Sequence, residues 1–222
     1  MAVSSAPDSF PTPTISPLGD SALLVRFGTV LTDAANRAAT ALTLALDQQP
    51  IEGVLEVVPN LVSVLLRYDP VRSRAQPIAG DLRLRLLALE ENLPQTRHWT
   101  VPVAFDGPDL DAVTAALKLT ADQFVTAHNA RPLRVLATGF APGFVYCGLH
   151  PESLVLPRQT VVRPVVPAGS VLFAAGQTAI AATELPTGWH VIGRTDFENF
   201  DATAEPPTRL SVGDMVTFVV TS

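Results

Sequence analysis

The chain has 222 residues, of which 47% are hydrophobic and 16% charged, a composition typical of a compact globular protein and not of a disordered one. Its net charge of −6 argues against nucleic acid as a partner, because no basic stripe is present to neutralise phosphates. The single cysteine, Cys147, excludes a disulfide framework, and the lack of a long apolar run argues against a membrane-spanning helix.

The first part of the chain is predicted to be a tail followed by a strand and a helix. Residues 1–13 are rich in serine and proline, and we expect them to be disordered. They lack the basic and apolar regions of a secretory signal, so a cytoplasmic location is expected. A strand is predicted at residues 21–27, and a helix at residues 34–49 with Asp33 as its N-cap.

Further elements of the same kind follow up to residue 105. Two strands, at residues 54–58 and 62–68, form a hairpin-like pair. A helix at residues 77–92 and a strand at residues 100–105 complete the order βαββαβ, the split-βαβ pattern of ferredoxin-like domains. The sequence therefore predicts a ferredoxin-like α/β domain over residues 14–105.

The remaining chain, residues 106–222, has a different texture. It begins with two short helical segments, the second of which is capped by Thr120. Short apolar runs separated by glycine and proline then favour an antiparallel barrel or sandwich. These runs lie at residues 133–137, 170–174, 179–182, 190–193 and 215–220. The predicted fold is therefore α+β, with a helical lead-in to a C-terminal β-barrel domain.

Residues 138–195 combine special backbone geometry with arginines and aromatic rings. The run GFAPGFVYCGL opens the stretch, and LPRQ, VPAGSV, GQT and GWHVIGRT follow in that order. Gly139 and Gly143 permit positive φ or the close approach of another chain, while Pro142 fixes φ. A plain core does not need this combination. A surface that grips a planar or anionic small molecule, or a partner chain, does.

Three arginines in this stretch are candidates for binding an anion: Arg158, Arg163 and Arg194. Each guanidinium can hold a carboxylate, carbamoyl or phosphate group, and the alternative is a surface arginine or an interface ion pair. Gln177 either contacts an amide-like ring or is a turn residue. His128 is either a general acid or base, or the C-terminal cap of a helix.

Several aromatic and loop residues are expected to contact a substrate or a partner: Phe140, Pro142, Gly143, Phe144 and Trp189. For Trp189 the alternative is a plug of the barrel core. A thiol hydrolase using Cys147 and His150 is disfavoured because no activating third group is apparent. Metal binding is disfavoured by the spacing of the histidines, and no GxxxxGK[ST] run is present, so any ATP site is not a P-loop.

The ordered motif series closely resembles the KipI family, which includes the B-type component of 5-oxoprolinase, the first subunit of allophanate hydrolase and the matching half of urea carboxylase's carboxyltransferase domain. The resemblance implies a cyclophilin-like β-barrel for the C-terminal domain. It also implies that activity belongs to a complex, in which a C-type barrel chain and an A-type subunit complete the ATP-dependent opening of 5-oxoproline to glutamate.

By the same resemblance, the three arginines and Gln177 face the partner or the substrate, where guanidinium groups stabilise developing charge. Two alternatives stay open: a subunit of the allophanate hydrolase or urea carboxylase type, and a KipI-like inhibitor that binds a histidine kinase. The chain departs from the family pattern in these loops at Val165, Ala179, Ala181, Thr187 and Asp196.

Overall fold

The computed structural model describes residues 10–89 and 97–221, and the chain divides into two compact units, Met1–Gln95 and Thr96–Ser222. Each unit contains both helices and strands, which confirms the α+β class. Most of the tail predicted at residues 1–13 lies outside the described residues, as do residues 90–92 of the helix predicted at residues 77–92. That helix ends at Leu87, so its predicted end was too late. None of the helices within the described ranges has the length and hydrophobicity that a membrane crossing requires.

The first unit is a sheet with two helices. Its elements are β1 (Thr14–Leu18), β2 (Ala22–Arg26), α1 (Asp33–Gln48), β3 (Val54–Pro59), β4 (Ser63–Tyr68) and α2 (Ala75–Leu87). Within residues 10–89 the strands form an antiparallel sheet in the order β1-β2-β4-β3. Leu42 and Leu46 of α1 and Leu82 of α2 are buried in one core with Val25 and Leu66 of the sheet, as the helical spacing of apolar residues predicts.

The N-cap of α1 differs from the prediction. Thr32 has an extended backbone, with φ at −124°, and its side chain accepts a hydrogen bond from the backbone N–H of Ala35 at 3.2 Å. Asp33 is already the first helical residue, where its negative charge favours the helix N-terminus. The prediction that Asp33 is the cap was therefore wrong by one residue.

The strand predicted at residues 100–105 does not complete the first sheet. It forms β5 (His98–Val103), which belongs to the second unit and pairs in parallel with β13 (Met215–Val220). In the first unit β1 instead forms a hairpin with β2 and covers its edge, so that β2 lies between β1 and β4. The βαββαβ order was therefore wrong for its last strand.

The second unit contains the remaining elements. They are β5, α3 (Leu110–Leu117), α4 (Ala121–His128), β6 (Leu133–Thr138), β7 (Val145–Gly148), a 3₁₀ turn at Glu152–Leu154, β8 (Arg163–Val166), β9 (Ser170–Ala174), β10 (Gln177–Ile180), β11 (Leu185–Thr187), β12 (His190–Arg194) and β13. Within residues 97–221 the main sheet has the order β12-β9-β10-β7-β6-β13-β5, and β8 pairs with β11 separately. Thr120 caps α4 in a capping box with Gln123, as predicted.

The two ends of the main sheet meet where residues after β5 pair with β12. Ala104 and Arg194 exchange two backbone hydrogen bonds of 2.9 Å, which join the first and last strands in the sheet order. A Cβ on Gly193 would lie 2.3 Å from the carbonyl oxygen of Ala104, so glycine is needed for this close approach. The sheet therefore curls round its core, although the parallel pair β13–β5 departs from the predicted antiparallel arrangement.

Candidate functional site

The loop between β6 and β7 holds an aromatic ring out to solvent on an unusual backbone. The φ angles are +114° at Gly139, +77° at Phe140 and +67° at Gly143, so the expected positive φ is confirmed at both glycines. Asn199 Nδ2 donates to the carbonyl oxygen of Gly143 at 2.8 Å and fixes this side of the loop. Phe140 lies in a region that non-glycine residues rarely occupy, and it is 71% exposed. Pro142 is exposed in the same loop.

Four aromatic rings, here called the aromatic row, follow one another away from this loop: Phe140, Phe144, Tyr146 and Trp189. Successive ring centroids lie 5.6, 4.8 and 5.8 Å apart, in edge-to-face arrangements. Arg158 lies at the end of the row, with its Cζ 5.4 Å from the centroid of Trp189, within the range of a cation–π interaction. Trp189 itself is only 5% exposed, while Arg158 is exposed.

The backbone that carries Arg158 is fastened to the backbone that carries Trp189. Gln159 N donates to the carbonyl oxygen of Gly188 at 2.7 Å. His190 Nε2 lies 3.0 Å from the carbonyl oxygen of the residue before Arg158, and His190 Nδ1 lies 3.2 Å from Gln159 Nε2. An imidazole that donates from Nε2 and accepts at Nδ1 satisfies both contacts. We call the four residues that make these bonds the clamp: Pro157, Gln159, Gly188 and His190.

Arg163 and Arg194 line a different feature, a cavity of about 540 Å³ whose wall also includes Val165. Each guanidinium is already paired with an aspartate. Arg163 Nη2 lies 2.8 Å from Asp109 Oδ1, and Arg194 Nε lies 2.9 Å from Asp106 Oδ2. These four side chains together contribute no net charge. Because Val165 lines this cavity, the departure from the family pattern at that position changes the cavity wall.

Asp109 has the larger structural role of the two aspartates. Its side chain is nearly buried, and its Oδ2 accepts a hydrogen bond from the backbone N–H of Val191 at 2.7 Å while Oδ1 binds Arg163. Asp106 and Arg194 form a pair in which the side chains remain 49% and 69% exposed. The first pair therefore ties α3, β8 and β12 together, and the second is a surface contact.

We predict that Asp109→Ala lowers the free energy of unfolding by about 3 kcal/mol, because it leaves a buried N–H and a partly buried guanidinium without their partner. The matched change Asp106→Ala removes an exposed ion pair and is expected to cost less than about 1 kcal/mol. Urea denaturation of the two variants measures both values. Equal losses would contradict the assignment of Asp109 as the structural member.

Gln177 and His128 lie in the interior of the second unit, where they are 5% and 1% exposed. His128 Nε2 and His150 Nε2 lie 2.7 and 2.8 Å from the same hydroxyl, Thr178 Oγ1, and His128 Nδ1 lies 2.7 Å from Asn129 Oδ1. These contacts join α4, β10 and the segment after β7 in a buried polar cluster. Gln177 Oε1 is buried and has no hydrogen-bond partner within the part of the chain that the structure describes.

Burial keeps both histidines of this cluster neutral. It lowers the pKa of His128 to about 4, against a smaller opposing effect of the hydrogen bond to Asn129. Burial together with the smaller effects of His128 and Arg131 lowers the pKa of His150 to about 3. Both ring nitrogens of His128 are already engaged within the chain. These contacts do not favour an acid–base role for His128, and that role stays a prediction.

Cys147 is a core residue of β7. It is fully buried, and burial raises the pKa of its thiol to about 12, so the thiol stays protonated at neutral pH. His150 directs its Nε2 to Thr178. These observations oppose the thiol-hydrolase alternative. Over residues 10–89 and 97–221, no group of three or more histidine, cysteine or acidic side chains is arranged to hold a metal ion.

The structure brings some of the sequence-predicted residues together and separates others. Phe140, Phe144, Trp189 and Arg158 meet on one side of the second unit, while Arg163 and Arg194 line the cavity and His128 and Gln177 lie inside. Sequence reasoning missed the clamp and the aspartates. The clamp residues lie in the LPRQ and GWHVIGRT runs, so the runs themselves were the available signal.

The fold and the motif-bearing loops define a known class of protein. The chain matches the carboxyltransferase domain, subdomain C and D, over residues 13–210, and it belongs to that family. Among curated relatives it is 32% identical, over 92% of its own length and 91% of the relative's, to the B subunit of 5-oxoprolinase from Bacillus subtilis (strain 168). Membership of the family to which the motif series pointed is thereby confirmed.

Solved structures of related chains support the fold. The protein TTHA0988 superimposes with a TM-score of 0.79 at 35% identity over 90% of this chain, which spans 40% of that longer chain. The urea carboxylase of Kluyveromyces lactis superimposes with a TM-score of 0.75 at 16% identity over 99% of this chain and 23% of its own. At that identity the second likeness establishes the fold alone.

Proposed function

We propose that this chain is the B-type subunit of a 5-oxoprolinase-like complex that opens 5-oxoproline to glutamate with the consumption of ATP. The similarity to the B subunit of the Bacillus subtilis 5-oxoprolinase, over nearly the whole of both chains, carries the proposal. The likeness to urea carboxylase is one of fold and does not favour a ureido substrate. In this proposal the chain is cytoplasmic, and its second unit is a cyclophilin-like barrel.

The proposed complex contains a C-type barrel chain and an A-type subunit as partners. The relatives are themselves named as subunits. The second unit also exposes large apolar side chains close in sequence to the site, which is the composition of a surface that a partner covers. These side chains are Phe140, Val155, Val161, Val162 and Val165.

The residues of this chain do not fit ATP in the cavity. A triphosphate carries several negative charges, whereas Arg163 and Arg194 are both neutralised by aspartates and the cavity wall includes no lysine. We therefore propose that ATP binds elsewhere in the complex. The Arg194–Asp106 pair is exposed and weak, so Arg194 can exchange its aspartate for the anionic group of a ligand.

The contribution of this chain is then to bind substrate and to stabilise negative charge. Arg158 forms no ion pair among the described residues and is proposed to bind the substrate, whereas Arg194 is proposed to stabilise the negative charge that develops in the reaction. Gln177 and Trp189 act from beneath the surface, by hydrogen bonding and by packing.

Reconstitution tests the proposal. The chain is co-expressed with its C-type and A-type partners, and 5-oxoproline-dependent ATP hydrolysis is measured for the complex and for the chain alone. We expect activity in the complex and none in the chain alone. A stable assembled complex that hydrolyses no ATP in response to 5-oxoproline would rule the proposal out.

A further inference from the structure

We propose that the guanidinium of Arg158, stacked on Trp189 beside the phenol of Tyr146, is the recognition point for the carboxylate of a small amide substrate. This inference rests on the proposed function and assigns one group of the substrate to one place on the chain. The alternatives at the same place are the amide carbonyl and a phosphate group.

Arg158 is held in place without being neutralised. Arg163 and Arg194, in the same unit, are each paired with an aspartate, whereas Arg158 has no acidic partner within the described ranges. The clamp fixes the backbone on both sides of it, and the indole ring supports the guanidinium. A charged side chain that is ordered before a ligand arrives loses less conformational entropy on binding.

The groups at this position determine the type of anion that binds. The planar fork of a guanidinium matches the two oxygens of a carboxylate. The ring of Tyr146 lies edge-to-face with Trp189, at 5.8 Å between centroids, and the same indole contacts Arg158. Burial raises the pKa of Tyr146, against the opposing charge of Arg158, so the phenol stays protonated and can donate a further hydrogen bond. Among the described residues, Arg158 is the one charged group that acts on the pKa of Tyr146. One cation and one neutral donor suit a single negative charge better than a phosphate chain.

Trp189 provides a fluorescence signal for binding at this position. The sequence contains two tryptophans, Trp99 and Trp189, and the second lies directly beneath the guanidinium. A carboxylate that binds Arg158 draws the cation away from the indole face or adds charge beside it. The emission of Trp189 is therefore expected to change on binding.

The test uses the full-length chain carrying Trp99→Phe, so that the emission comes from Trp189. Three probes are titrated: 5-oxoproline, 2-pyrrolidinone, which is the same ring without its carboxylate, and inorganic phosphate. We expect 5-oxoproline alone to change the emission. Arg158→Gln should weaken its binding about tenfold or more, because a charge-assisted contact is lost. Arg209→Gln, which removes a guanidinium stacked on Phe197, is the matched control and should bind normally.

Two results with the probes would overturn the inference: equal responses to 5-oxoproline and 2-pyrrolidinone, or binding of phosphate in place of 5-oxoproline. The absence of any response to 5-oxoproline would also overturn it, as would normal binding of 5-oxoproline by Arg158→Gln. Measurements on the reconstituted complex distinguish a failure of the carboxylate site from a failure of the proposed function. There, Arg158→Gln should raise the KM for 5-oxoproline while kcat changes much less. An active complex whose KM is unchanged by Arg158→Gln refutes the carboxylate site and leaves the proposed function standing.

Discussion

Acidification from about pH 6.5 to about pH 4.5 is expected to lower the free energy of unfolding by about 3–5 kcal/mol through His128 and His150. Folded, these side chains are neutral until about pH 4 and about pH 3 respectively, whereas in the unfolded chain each binds a proton below about pH 6.5. The unfolded state therefore binds more protons across this window. Stability is fully present above it and falls as the pH falls.

Variants of the cluster isolate this effect from the titration of carboxylates. Urea midpoints are measured at both pH values for the unmodified chain, for the double variant His128→Asn/His150→Gln, and for His98→Gln, which changes an exposed histidine. In the double variant, the urea midpoint should differ much less between the two pH values, even if the variant is less stable at pH 7. The His98→Gln control should keep it. A double variant with an undiminished pH dependence would show that the buried histidines are not its source.

Gly193→Ala is expected to destabilise the second unit by about 3 kcal/mol or more. The added Cβ would lie 2.3 Å from the carbonyl oxygen of Ala104, and Ala104 is held by two backbone hydrogen bonds to Arg194. The clash is with backbone, so it cannot be relieved by a side-chain rotation. Relief requires opening the contact that joins the two ends of the sheet.

Gly188→Ala is the matched control, because its Cβ would lie 3.4 Å from the carbonyl oxygen of Gln159, an ordinary contact distance. Denaturant midpoints followed by tryptophan fluorescence compare the two variants. We expect a much larger fall in the denaturant midpoint for Gly193→Ala than for Gly188→Ala. Equal midpoints would mean that the sheet does not depend on the close approach at Ala104.

Elements defined by local signals could be predicted from the sequence. Strands β9 and β13 coincide with the apolar runs at residues 170–174 and 215–220, since glycine, proline or polar residues bound each run. Strands β7, β8 and β11 were not predicted, because each has only three or four residues and too few alternating positions to show a period. The membership of β5 in the second sheet could not be predicted either, because β5 pairs with β13, a strand near the other end of the chain.

The candidate site divides in the same way. Arg158 and Trp189 lie in the LPRQ and GWHVIGRT runs, and both were identified from the sequence as candidate site residues. The pairing of Arg163 with Asp109 was not foreseeable, since the aspartate precedes α3 and belongs to no motif. Nor could the histidine cluster be predicted, because His128 and His150 lie on different segments of the chain. Their ring centroids are 4.7 Å apart, and both contact the hydroxyl of Thr178 on a third element.

Growth on 5-oxoproline as the sole nitrogen source tests the central claim most directly. A bacterial strain that lacks its own 5-oxoprolinase subunits is supplied with this chain and its C-type and A-type partners, and a second strain receives the partners alone. We predict growth of the first strain and none of the second. Absence of growth when all three chains are present as a soluble complex, or equal growth without this chain, would contradict it.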